Sequence, residues 1–97
     1  MSINFDSKLI CDVGLRIAAA GVRSIRRAAA GDEIPKKVLA VRLGMHRQTL
    51  STRLSRGDMK LSEFVSAALA VGERPSDLLA TAEDAADLPA LADKEVK

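Results

Sequence analysis

The stretch LGMHRQTLSTRLSRGD, residues 43–58, holds the chain's only histidine, three arginines, and hydroxyl and amide side chains interspersed with three leucines. Two kinds of chemistry use such residues. His46 could serve as a general base or a metal ligand, yet the chain has no second histidine and only one cysteine, Cys11. No paired acid and base, no activated nucleophile and no phosphate loop accompanies it, so neither an enzyme nor a metal or cofactor is expected. The other chemistry is recognition. Arginine presents a fork that fits guanine O6 and N7, glutamine fits adenine N6 and N7, and serine or threonine hydroxyls suit either.

Groups that act together must share one face. At about 100° per residue, a helix over this stretch turns Leu50 and Leu54 inward and sets Gln48, Thr52 and Ser55 opposite them. Ser51 falls on one flank, and Thr49, Arg53 and Arg56 fall toward the other. The outward side carries donors, acceptors and cations but no carboxylate, which suits a rod entering a DNA major groove.

The flanking sequence predicts the elements that hold this rod. Pro35 suits the first turn of a helix ending near Leu43, with Leu39 and Leu43 facing a core and the small Ala40 allowing close approach. Gly44 can take positive φ and make a sharp turn. The next helix then covers about His46 to Arg56, stopped by Gly57 and Asp58, with Met45 closing the corner. A fourth helix, about 61–71, aligns Phe64, Ala67, Ala68 and Val71 before Gly72. Pro75, Asp77, Leu78 and Leu79 open a fifth that runs to about Ala82. Upstream, residues 7–30 repeat apolar side chains at i, i+4, capped by Asp6 or Ser7 and closed with Gly31 at C′. Gly14 and Gly21 leave open whether this is one helix, a bent one or two.

Composition agrees with an all-α bundle of about five helices. With 97 residues, 47% hydrophobic, no Trp or Tyr and two Phe, the chain can build one aliphatic core. Cys11 cannot pair within the chain and is expected as a small buried apolar residue. No signal peptide or long apolar span is read, which points to a cytoplasmic setting and no membrane. A net charge of +2 decides nothing by itself. From Arg16 to Lys60, however, eleven cations meet only Asp32, Glu33 and Asp58, a formal excess of eight positive charges. The C-terminal third is dominated by Asp and Glu.

Residues 34–80, IPKKVLAVRLGMHRQTLSTRLSRGDMKLSEFVSAALAVGERPSDLLA, resemble the helix-turn-helix core of the lambda-repressor/Cro-like, or XRE, family. Ala40 four residues before Gly44, the apolar set Leu39, Leu43, Met45 and Leu50, and the later VGERPSDLL carry the likeness. The resemblance implies a bacterial or phage transcription regulator of five helices, commonly a dimer on an inverted-repeat operator. It places base reading on Arg47, Gln48, Ser51 and Thr52. Phosphate contacts fall on Lys36, Lys37, His46, Thr49, Arg53, Arg56 and Lys60. The family's pattern usually has glutamine at Lys36 and serine or threonine at His46, and it has an apolar residue where Arg53 stands.

The expected organisation is an N-terminal helical segment over 1–33, a helix-turn-helix core over 34–82 and an acidic, flexible tail over 83–97. The leading reading is a sequence-specific repressor or Cro-like protein on double-stranded DNA, with no small-molecule effector evident. The alternative is an interaction module, such as an antitoxin or adaptor. Leu9, Ile10, Val13 and Ile17, with Ile3 and Phe5, could form a homodimer contact, and the fourth-to-fifth helix region is the rival surface. Arg16, Arg23, Arg26 and Arg27 either decorate an exposed face or meet the DNA backbone.

Overall fold

The computed structural model describes residues 7–86, which form five helices: α1 (Ser7–Gly31), α2 (Lys36–Leu43), α3 (Arg47–Arg56), α4 (Leu61–Ala70) and α5 (Pro75–Ala86). Ile3, Phe5, Asp6, Pro89 and the rest of the tail from residue 87 lie outside the described residues. The core gathers Val22, Ile25 and Ala29 of α1, Leu39 and Ala40 of α2, Leu50 and Leu54 of α3, Phe64, Ala67 and Ala68 of α4, Val71, and Leu78 of α5. No polar or charged side chain is buried among the described residues. The expected boundary at residue 33 therefore does not separate two packing units, since α1 supplies part of the same core.

α1 is one continuous helix, about 37 Å long at 1.5 Å per residue. Its two interior glycines do not break it. Gly21 is a place of close approach, because a Cβ there would lie 3.1 Å from the Phe64 ring. α1 packs most extensively along α5. Of the expected dimer stripe, Val13 is buried, Ile17 half-buried, and Leu9 and Ile10 are exposed. Cys11 is exposed rather than buried, since two residues on a helix rotate it about 200° away from Val13. α5 also runs past the expected end: Glu83–Ala86 are helical, and Ala82 is buried.

The corners explain how short helices turn so tightly. At α2–α3, Gly44 takes φ 66°, its N–H donates to Val41 O at 3.1 Å, and Met45 N–H donates to Ala40 O at 3.0 Å. This is a Schellman turn, which satisfies carbonyls that the helix end would otherwise leave open. The α1–α2 corner uses the same turn with Glu33 N–H on Ala30 O at 3.1 Å and Ile34 N–H on Ala29 O at 2.8 Å. There the left-handed residue is Glu33, at φ 57°, and not Gly31, which is the last residue of α1. A side chain in that region costs about 1–2 kcal/mol. Turning two residues later brings Ile34 onto the core, and its burial offsets part of that cost. Pro35 stands at the N-cap of α2, one place before the first turn expected for it.

Candidate nucleic-acid interface

α3 is anchored by two side chains and presents the rest. Leu50 is 0% and Leu54 4% exposed, one turn apart as the i, i+4 spacing requires. That fixes the helix phase on Leu54 although Arg53 occupies the neighbouring position. Arg47, Gln48, Thr52, Ser55 and Arg56 are exposed, while Thr49, Ser51 and Arg53 are half-buried. The four expected base-reading residues fall in two adjacent i, i+4 rows, Arg47 with Ser51 and Gln48 with Thr52. Gln48 and Thr52 lie opposite the leucines and Ser51 on a flank, while Arg47, only about 20° from Leu54 in helical phase, is exposed because it stands where the helix begins.

Three further contacts hold the rod. The Gly44 turn ties its start to α2. At its end, Gly57 lies so close to α1 that a Cβ there would sit 3.1 Å from Ala19 Cβ and 3.2 Å from Ala19 Cα. At its side, Arg53 Nε donates to Glu63 Oε1 of α4 at 2.7 Å. The same carboxylate oxygen accepts the Lys60 N–H at 3.0 Å, capping α4. Arg53 thereby links α3 to α4. Arg42 adds a second link between the helix pairs, with Nη1 donating to Ala70 O at 3.0 Å.

The helix starts differ in charge. Neither Pro35 nor His46 supplies a side-chain cap to the helix it precedes, and neither α2 nor α3 has an acidic residue in its first turn. Cations stand there instead: exposed Lys36 and Lys37 open α2, and Arg47 opens α3. Open N–H groups, the positive end of the helix dipole and a basic side chain together favour an anion. Of the other expected phosphate residues, Thr49 is half-buried in the first turn of α3, and Arg53, Arg56 and Lys60 surround a shallow hollow with Asp58 at its other end.

The α1 arginines join these groups. Arg16 shares a hollow with Arg56 beside Gly57, and Arg23, Arg26 and Arg27 lie around one crevice with Lys36. Their helical spacing left their role undecided; the corner that folds α1 onto α2 brings Arg23, Arg26 and Arg27 to Lys36. No described helix is long and apolar enough to cross a membrane. Neither protein-family models, nor characterised proteins, nor solved structures give a match to this chain.

Proposed function

We propose that this chain is a sequence-specific regulator that binds double-stranded DNA, a cytoplasmic protein of the phage repressor or Cro-like kind, reading its operator with α3 in the major groove. The observation that carries the reading is the outward strip of α3, free of carboxylates and flanked by the uncapped, basic starts of α2 and α3. Arg47, Gln48, Ser51 and Thr52 reach base edges. Lys36, Lys37, His46, Thr49, Arg56 and Lys60 meet phosphates on either side, and Arg53 acts through its ion pair by setting the tilt of the rod.

One such rod spans too few base pairs for useful selectivity, so the protein acts as a homodimer on an inverted repeat. Outward apolar side chains suited to a mate lie along α4, at Leu61, Val65 and Leu69, and near the start of α1, at Ile10 and Leu15. Fluorescence anisotropy with a labelled duplex tests the reading. Lys36→Ala and Arg56→Ala should each weaken binding to every sequence and reduce the slope of log K against log salt by about 1. At saturating concentration the same titration should give two chains per site. An unaltered salt slope in both variants would remove the phosphate assignments.

A further inference from the structure

Where α1, α2 and α3 meet, the fold leaves an open crevice of about 540 Å³. Its floor is aliphatic, formed by Ile34, Leu39 and Leu54 with two alanines of α1. Its rim is cationic: Arg23, Arg26 and Arg27 from α1 and Lys36 from α2. No carboxylate lines it, and among the described residues none of these four cations forms an ion pair.

We propose that this crevice binds a small amphipathic anion, a carboxylate or phosphate head group carried on a short hydrocarbon body. Four neighbouring cations without a counter-charge repel one another, and an anionic head seated among them relieves that repulsion. The head alone would leave the floor in water. A hydrocarbon body removes that apolar area from solvent, at roughly 25 cal/mol per Å². The volume lies in the range of small-ligand sites, about 300–1,000 Å³. At about 30 Å³ per liquid water the space equals roughly 18 waters, enough for a ligand of on the order of ten non-hydrogen atoms with some water left beside it. A duplex backbone could touch the rim but has no group to fill the floor. No sign of this site is legible in the sequence, because its wall and rim come from three helices that only the α1–α2 corner brings together.

The crevice shares Lys36 with the proposed DNA interface, so its test uses no DNA and its failure leaves the DNA reading untouched. Calorimetry and amide NMR on the full chain, with octyl phosphate below its micelle-forming concentration, should give one ligand per chain and shift the signals of Ala30, Ile34 and Leu39. Inorganic phosphate and octanol should each bind at least tenfold more weakly. Ala30→Glu places a carboxylate in the lining at an exposed helical position, and Arg26→Ala removes a rim charge. Both should keep the helical circular dichroism and lose at least fivefold in affinity. Overturning results are inorganic phosphate or octanol matching octyl phosphate, unchanged affinity in both variants, or signal shifts confined to the α4 stripe of Leu61, Val65 and Leu69. Absence of binding at millimolar octyl phosphate would equally reject the site.

Discussion

Two halves of this molecule are built by the same device and end with opposite surfaces. α2 and α3 turn through Gly44, with Met45 N–H on Ala40 O at 3.0 Å; α4 and α5 turn through Gly72, with Glu73 N–H on Ala68 O at 2.9 Å. Both alanines are buried, and a Cβ on either glycine would meet nothing within 4 Å. The first turns then diverge. α4 carries Glu63 and α5 carries Asp77, whereas α2 and α3 begin with cations and no acid. The outward sides diverge too, apolar along α4 and polar along α3. Backbone and core requirements are the same in the two pairs, so folding explains the shared parts. The differences mark what the surface of α2–α3 is for.

The comparison predicts that core damage cannot tell the halves apart. Leu50→Ala and Phe64→Ala each remove a large buried side chain and should cost about 3 kcal/mol or more in urea unfolding. Against a typical stability of about 5–15 kcal/mol, either could unfold much of the population at modest denaturant. A loss under 1 kcal/mol at Leu50 alone would break the symmetry and the anchoring of α3.

The two turns should respond alike as well. Gly44→Val and Gly72→Val force a branched side chain into the left-handed region without a steric clash elsewhere, each at a cost of about 2 kcal/mol. Equal destabilisation by thermal unfolding is expected. A fully stable Gly44→Val variant would contradict the turn geometry.

A smaller change sharpens the difference at the helix starts. His46→Ser supplies the side-chain cap that α3 lacks and should add about 1 kcal/mol of stability. The serine satisfies one of the open N–H groups, so the gain should appear without added anion and shrink when sulfate is present. No gain in either condition would show that the start of α3 is already satisfied.

The signals that were legible in the sequence were local. Glycine stops and i, i+4 leucines placed α2, α3 and α4 within a residue or two, and the inward pair Leu50 and Leu54 gave the outward strip directly. What was not legible depended on contacts across the chain. Gly21 read as a possible break because nothing nearby in sequence announces Phe64, 43 positions on. Glu33 as the left-handed residue follows from where Ile34 must land, not from the propensity of glutamate. The Arg53 ion pair was not legible because its partner Glu63 is ten residues away on another helix. Sequence periodicity shows which side of a helix faces out, and tertiary contacts decide which of the outward residues are already engaged.

Selection of bound duplexes from a random DNA library, run in parallel for the wild-type chain and Arg47→Ala, tests the central claim most directly. The account predicts one enriched inverted-repeat motif, and in the variant a preference relaxed at a single base pair per half-site, with affinity down by about 1–3 kcal/mol. Equal affinity for every duplex, or a motif unaltered by Arg47→Ala and Gln48→Ala alike, would contradict it.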